Sequence, residues 1–270
     1  MVVDILIALA VVGAVGLLAG ILLALFSHFF SVPQDEREKA VRDALPGANC
    51  GACGYKGCDD YAAAVAEGRA AANLCIPGGA DTASAIADIM GVEVEPPKSV
   101  AAFVHCNGNC EATSKKSEYD GVATCRAAAN LYGGPNSCLY GCLGFGDCAK
   151  ACPADAICVR DGIAHIDASL CLGCGLCSNV CPKHIISLIP REAGTAVMCS
   201  SHDKGAVARK LCKNAGIGCK KCEKTCPEGA IKIEGDLAVI DYSKCTSCGA
   251  CAAVCPTGCL KNVNLSSSKV

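Results

Sequence analysis

Cys245, Cys248, Cys251 and Cys255-Pro256 follow a C-x2-C-x2-C-x3-C-P spacing, the run by which bacterial ferredoxins hold four-iron clusters. So tight a spacing lets one loop wrap three thiolates around three corners of a cube while its backbone N–H groups face the sulfurs. Proline fixes φ and carries no N–H, so the fourth thiolate leaves the loop in a set direction and, in two-cluster ferredoxins, reaches the neighbouring cluster. The same run recurs 74 residues earlier at Cys171, Cys174, Cys177 and Cys181-Pro182. Cys138, Cys148 and Cys152-Pro153 precede Cys212, Cys222 and Cys226-Pro227 by that same interval, and Cys125 precedes Cys199 by it, which marks a long internal duplication.

The first half of each copy departs from the regular spacing, reading Cys138-x3-Cys142-x5-Cys148-x3-Cys152 and Cys212-x6-Cys219-x2-Cys222-x3-Cys226. Glycines 141, 144 and 146 in one, and 216 and 218 in the other, would let the longer loops close round a cluster. If ligation crosses as in two-cluster ferredoxins, Cys138, Cys142 and Cys148 join Cys181, while Cys171, Cys174 and Cys177 join Cys152. In the second copy Cys212, Cys219 and Cys222 join Cys255, while Cys245, Cys248 and Cys251 join Cys226. A fifth set lies upstream, where Cys50, Cys53, Cys58 and Cys75 supply four thiolates within one compact segment. The same four would also suit zinc, since their spacing is less diagnostic than the triplets. Five [4Fe-4S] clusters are the expected total. Cys106, Cys110, Cys125 and Cys199 could in principle hold a further one, but no triplet or C-P ending supports it and buried structural thiols are the plainer reading. Phe103-Val-His-Cys106 resembles Ala196-Val-Met-Cys199, whereas the 74-residue interval pairs Cys199 with Cys125, so two alignments compete. Cys158 and Cys259 lie outside the motifs and are taken as free.

The composition excludes most other chemistry. With 26 cysteines and no tryptophan in 270 residues the chain lies outside ordinary globular usage. A disulfide scaffold does not explain repeated triplets, because cysteines so close along one loop are poorly placed to bridge each other. A net charge of −2 and 4% aromatics leave no nucleic-acid footprint. No nucleophile–base set, phosphate loop or nucleotide fingerprint is present, so no catalytic residue is expected and the chemistry is electron transfer.

The elements that would position these thiolates define an α+β chain. Residues 1–30 are almost wholly apolar apart from Asp4, Ser27 and His28, longer than the ~20 residues a membrane helix needs, and too long and too poor in basic residues at the start for a signal peptide. Arg37, Lys39 and Arg42 follow it and no Lys or Arg precedes it. The positive-inside rule then puts the amino terminus outside and every cysteine in the reducing cytoplasm. Residues 31–91 form a charged stalk helix over Gln34 to Leu45 and the four-cysteine module, with an Ala-rich helix over Tyr61 to Ala72 and a second over Asp81 to Met90, N-capped by Asp81. Residues 92–99, with Pro96-Pro97, are a linker. Residues 100–190 and 191–270 are two ferredoxin-like units with two cluster motifs each. The first opens with a strand over Val100 to Val104, and each holds a hairpin between its paired motifs: Ala156 to Val159 with Ile163 to Ile166, and Ile231 to Ile233 with Leu237 to Ile240.

This order of apolar helix, N-C-G-A-C-G-Y-x-G-C module at Asn49 to Cys58, and the Y-G-C-L-G-F-G-D-C core before Pro153 resembles the RnfB family, the iron–sulfur subunit of the Rnf complex, over nearly the whole chain. Some members of that family have one ferredoxin-like unit where this chain has two. The resemblance implies an iron–sulfur subunit of an ion-translocating ferredoxin:NAD+ oxidoreductase in the cell membrane, taking electrons from reduced ferredoxin and passing them toward membrane subunits for NAD+ reduction coupled to Na+ or H+ transport. Flavin and NAD sites would lie on the other Rnf subunits. An anchored polyferredoxin of a hydrogenase or formate dehydrogenase is the alternative, opposed by the four-cysteine module; a cluster-based redox sensor would need an effector domain that is not seen. Arg209, Lys210, Lys213, Lys220, Lys221 and Lys224 crowd one cluster loop with only Glu223 against them, a face suited to an acidic ferredoxin, whereas Asp59-Asp60 gives the four-cysteine module the opposite sign. Electrons would then run from the C-terminal unit inward.

Overall fold

The computed structural model describes residues 2–29 and 35–266. Val2–Phe29 forms one helix of 28 residues, α1. Several of its side chains, including those at both ends, lie outside the described set, and among the described residues no helix is long and apolar enough to cross a membrane. The transmembrane helix expected over residues 1–30 falls partly on residues outside that set; what is described there is a continuous helical backbone.

The four-cysteine module is a three-helix wrap. Glu36–Ala44 (α2) starts where the Asp35 carboxylate accepts the Arg37 N–H at 2.9 Å, carries Glu36 and Glu38 in its first turn and Arg42 in its last, and stops before Pro46. Cys58–Ala66 (α3) begins earlier and ends sooner than the Ala-rich stretch suggested. Its start is fixed by Asn49, whose Oδ1 accepts the Cys58 N–H at 2.8 Å, and its end by a reversal in which Arg69 and Ala70 both donate to the Ala64 carbonyl. Gly79–Met90 (α4) also begins before the expected Asp81, which stands in its first turn instead of capping it. Val41, Tyr61, Val65 and Ile86 are the fully buried centre on which the three helices meet.

The rest consists of two-stranded sheets joined by loops and single-turn helices. Val100–Val104 (β1) pairs antiparallel with Ile186–Pro190 (β4), and between them lie Cys125–Asn130 (α5), Asp147–Lys150 (α6), the hairpin Ile157–Arg160 (β2) with Ile163–Ile166 (β3), and Leu176–Val180 (α7). Thr195–Val197 (β5) pairs with Leu260–Asn262 (β8) around Gly205–Leu211 (α8), Lys221–Thr225 (α9), the hairpin Ile231–Glu234 (β6) with Leu237–Ile240 (β7), and Ala250–Ala253 (α10). Apolar runs around a polar turn explain the hairpins, since Ile157, Ile163, Ala164, Ile231 and Ala238 are buried while the turns at Asp161 and Asp236 are polar and left-handed.

Register decides between the competing alignments. Val104 lies opposite Ile186 and Val197 opposite Leu260, and the next backbone bonds match too, His105 N–H to the Ile185 carbonyl and Met198 N–H to the Cys259 carbonyl, each at 2.7 Å. The outgoing strands therefore stand 74 residues apart and the incoming ones 93. Cys199 answers to Cys106 and not to Cys125. The difference is a long loop between Cys106 and Cys142, carrying α5 and Cys125, that is much shorter between Cys199 and Gly216.

Candidate metal centres

The cysteines gather into compact groups. The cavity lined by Cys152, Cys171, Cys174 and Cys177 unites the four thiols expected of crossed ligation. Its loop is built from backbone donors: Gly173 N–H and Ala102 N–H reach the Cys171 sulfur at 3.4 Å, and Ala156 N–H reaches Cys152 at 3.4 Å. Gly173 has φ +68, and a Cβ there would stand 2.8 Å from the Val100 carbonyl, so glycine is required for β1 to lie against the loop. The matching motif is Cys226, Cys245, Cys248 and Cys251: Ala230 N–H reaches the Cys226 sulfur at 3.3 Å, as Ala156 does Cys152, and burial raises the Cys251 thiol, with Cys245 and Cys226 adding to the rise. Cys248 is exposed.

In the N-terminal module the hydroxyl of buried Tyr61 donates to the Ala71 carbonyl at 2.8 Å and accepts from Leu74 N–H at 3.2 Å, which holds the segment that delivers Cys75. Burial pushes that hydroxyl up to about 12, so it stays a neutral donor. Burial likewise raises the Cys75 thiol, and the charges of Cys58, Cys50 and Cys53 add to the rise, which places the four together. Cys50 also raises Cys174, so this module abuts the cavity of the Cys171 triplet.

The first-half motifs differ from expectation in one member each. Cys142, Cys148 and Cys181 line one cavity, but the fourth thiol is Cys125, brought in by α5; Cys138 is not there. A regular run ending at Cys152-Pro153 would place cysteine at 142, 145 and 148, and position 145 is Phe145. Cys125 fills that gap from the long loop. Burial, with the charges of Cys142, Cys125 and Cys181, pushes the Cys148 thiol up to about 12. In the second copy the regular run would need cysteine at 216, 219 and 222, and position 216 is Gly216. Its Cβ would lie 3.3 Å from the sulfur of Cys259, so Cys259 stands beside the vacant place. Burial raises Cys259, with Cys199, Cys255 and Cys222 adding to it; Cys222 in turn is burial-raised, with contributions from Cys219 and Cys255. Cys255 moves the other way: burial raises it, but N–H donors from Leu260, Thr257 and Cys259 outweigh burial and lower it. Cys138 and Cys212 instead line a separate cavity with Cys106 and Cys199. Cys110 is exposed, and Cys158 faces outward on β2. Cys125 and Cys259, which the motif spacing leaves out of these groups, have a sequence signal in the vacant triplet positions at Phe145 and Gly216.

Iron–sulfur clusters fit these cavities. Among the described residues no three Cys, His, Asp or Glu side chains converge closely enough for a single ion, whereas Cys152, Cys171, Cys174 and Cys177 line one cavity and Cys125, Cys142, Cys148 and Cys181 another, each with a glycine in its wall. Buried thiols that raise one another's pKa need cations to hold them as thiolates, and no Lys or Arg lines the cavity of the Cys171 triplet.

Family comparisons agree. Residues 45–77 match an Fe-S cluster family, residues 164–187 a 4Fe-4S binding domain and residues 217–259 a 4Fe-4S dicluster domain. The B subunit of the Na(+)-translocating ferredoxin:NAD(+) oxidoreductase complex of Acetobacterium woodii is 43% identical over 95% of this chain and 77% of its own length. That of the ion-translocating oxidoreductase complex of Methanosarcina acetivorans is 40% identical over 92% and 94%, and that of the proton-translocating ferredoxin:NAD(+) oxidoreductase complex of Clostridium ljungdahlii 40% over 94% and 91%. The chain belongs to the RnfB family of these ion-translocating ferredoxin:NAD+ oxidoreductase (Rnf) complexes, and is an iron–sulfur electron-transfer subunit of that translocase.

Proposed function

We propose that the chain is a membrane-anchored conduit of five [4Fe-4S] clusters built from the four-cysteine module (residues 31–91) and two duplicated ferredoxin-like units (residues 100–190 and 191–270). The supporting observation is the grouping of thiols: Cys50, Cys53, Cys58 and Cys75; Cys125, Cys142, Cys148 and Cys181; Cys152, Cys171, Cys174 and Cys177; Cys219, Cys222, Cys255 and Cys259; and Cys226, Cys245 and Cys251, to which the motif spacing adds Cys248. Bound clusters supply one-electron transfer. The protein contributes the thiolates, the N–H donors on their sulfurs and the exclusion of water, the factors that set cluster potentials.

The duplication is supported by the repeat of sheet register and by matched left-handed residues, Gly175 with Gly249 and Gly173 with Ser247, 74 residues apart. For α1, a run of 28 helical residues at about 1.5 Å each exceeds a hydrocarbon core of about 30 Å, which supports a single span with the cysteines on the cytoplasmic side. The donor is ferredoxin. Arg209, Lys210, Lys213, Lys220, Lys221 and Lys224 are all exposed, and exposed Cys219 lies among them, so an acidic partner would be steered to this face. Transfer would run inward from there, with the other Rnf subunits receiving the electrons.

The test uses the detergent-solubilised complex under anaerobic conditions. The iron and sulfide content of this subunit should reach at least about twenty of each; about four irons, or zinc in stoichiometric amount, defeats the reading. Replacing Lys220, Lys221 and Lys224 with Glu should slow reduction by ferredoxin about tenfold at low salt, converge with the native rate at high salt, and leave reduction by dithionite unchanged. An unchanged salt dependence moves the docking face elsewhere.

A further inference from the structure

Asp147 and Lys221 stand at matched positions, 74 residues apart, and carry opposite charges. Each is the first residue of the short helix that bears a first-half thiol, Cys148 on α6 and Cys222 on α9. Both helices are entered from a left-handed residue, Gly146 in one case and Lys220 in the other. The side chains differ in place as well as in sign. Asp147 lines the cavity of Cys125, Cys142, Cys148 and Cys181, whereas Lys221 is exposed.

The long loop between Cys106 and Cys142 holds the carboxylate inward. Its Oδ2 accepts the Arg126 N–H at 3.1 Å, one residue beyond Cys125 on α5. Its Oδ1 is buried without a hydrogen-bond partner among the described residues, and none of their ion pairs includes Asp147. Lys183 lines the same cavity, but its ammonium is turned to the Gly133 and Leu139 carbonyls at 2.6 Å each. A buried carboxylate oxygen with neither donor nor cation is costly, because burial strips the hydration from a charge. The bond to Arg126 does not account for that cost, since a serine or asparagine would accept the same N–H and bring no charge into the wall.

We propose that Asp147 holds the reduction potential of the centre at Cys125, Cys142, Cys148 and Cys181 below that of its counterpart at Cys219, Cys222, Cys255 and Cys259. This rests on the four-thiol sets proposed above. Reduction adds one negative charge inside the cavity, and a carboxylate in its wall opposes that charge through a medium of low dielectric in which salt screens little. Asp147 acts through its field alone: one electron arrives and one leaves, with no bond or proton exchanged. It is a positioning residue for the electron. On an inward route the Cys125 set is the step an electron must climb, and residues 191–270 are where it waits.

The experiment is an anaerobic redox titration of the whole complex followed by EPR, with iron content measured beside it. Cys125→Ala and Cys259→Ala identify the two centres by the component each removes. In the native complex the Cys125 component should be the harder of the two to reduce. Asp147→Asn and Asp147→Ser both keep an acceptor for the Arg126 N–H and drop the charge, and serine offers the sulfurs no N–H of its own. Each should keep its iron and raise the reduced-to-oxidised ratio of the Cys125 component about tenfold at a fixed potential, about 59 mV for one electron, with the other components unmoved. An unshifted component at full iron content overturns the proposal. A shift in Asp147→Asn alone does so too, because the new amide donor is then the cause. Loss of about four irons from both variants overturns it as well and leaves Asp147 as the tie that holds α5. A native Cys125 component that is reduced more easily than the Cys259 one has the same force. All these outcomes leave the four-thiol sets standing, whereas a Cys125→Ala variant that removes no component brings down that reading and this proposal together.

Discussion

Residues 100–190 and 191–270, taken as an N-terminal and a C-terminal unit, gather four thiols in two ways. Each has a first-half motif with one cysteine absent from the regular run, at Phe145 in one and Gly216 in the other. The N-terminal unit imports its replacement from a long loop: Thr124 caps α5, accepting the Ala127 N–H at 3.1 Å, and α5 sets Cys125 against Cys142, Cys148 and Cys181. Lys183 pins the far end of that loop, donating to the Gly133 and Leu139 carbonyls at 2.6 Å. The C-terminal unit has no such loop. Glycine at 216 leaves space, and Cys259, one residue before β8, turns its sulfur into it. The four-thiol set is thus held constant while its covalent source drifts, which is how a duplicated scaffold can diverge without losing a centre.

The sharpest break in this comparison comes from the replacements themselves. Cys125→Ala should remove about four irons from the N-terminal unit and Cys259→Ala about four from the C-terminal unit, each with one EPR component lost, while Cys110→Ala and Cys158→Ala remove none. If Cys259→Ala keeps its full iron content, the fourth ligand there is another thiol and the two units are more alike than their sequences.

Next in size is the close approach of strand and loop. Gly173→Ala puts a Cβ 2.8 Å from the Val100 carbonyl at φ +68, and neither backbone can yield without separating β1 from the Cys171 loop. The loss should be about 2 kcal/mol or more, read as a lower midpoint for thermal bleaching of the visible iron–sulfur absorbance. A smaller effect is expected at Gly146, which answers to Lys220. Gly146→Ala meets a Val159 methyl at 3.5 Å and the Ala149 Cβ at 4.0 Å, both ordinary contacts, so the left-handed backbone alone should cost about 1 kcal/mol; Lys220→Gly, relieving φ +58, should stabilise by a similar amount.

How much of this was legible depended on whether the signal was local. The C-P endings and complete triplets announced the sets of Cys171 and Cys245 because one loop supplies three thiols, and short apolar runs around a polar turn announced both hairpins. The fourth thiols beside the first-half motifs were not legible, because Cys125 and Cys259 approach through the tertiary fold from seventeen residues upstream of Cys142 and from forty residues downstream of Cys219. Reading the 74-residue interval as uniform paired Cys199 with Cys125. Only strand register reveals that the incoming strands are 93 apart, because a loop of different length intervenes before the shared motif. In the N-terminal module the existence of helices was plain. Their starts were not, since Asn49 caps α3 from nine residues away.

The smallest expected effect tests whether matched positions obey the same rule. Ser247 answers to Gly173 and shares its left-handed backbone, φ +58 against +68. In the C-terminal unit the partner strand has given way instead: Gly194 faces the loop, and a Cβ on Gly194 would stand 2.7 Å from that of Ser247. The hydroxyl of Ser247 then accepts the Gly194 N–H at 2.9 Å and donates to the Glu192 carbonyl at 3.2 Å, tying the cluster loop to the segment before β5. Ser247→Gly removes both bonds, a loss of about 1 kcal/mol for each, and relieves a left-handed strain of about 1–2 kcal/mol, so the net change should lie within about 1 kcal/mol of zero. Ser247→Ala loses the same bonds and keeps the strain, and should be the more harmful by about 1 kcal/mol. At Gly173 glycine is again favoured over alanine and more strongly, being the one residue that fits. Bleaching midpoints of the three variants decide the matter: if Ser247→Gly falls as far as Ser247→Ala, the hydroxyl bonds carry the position and the left-handed strain does not.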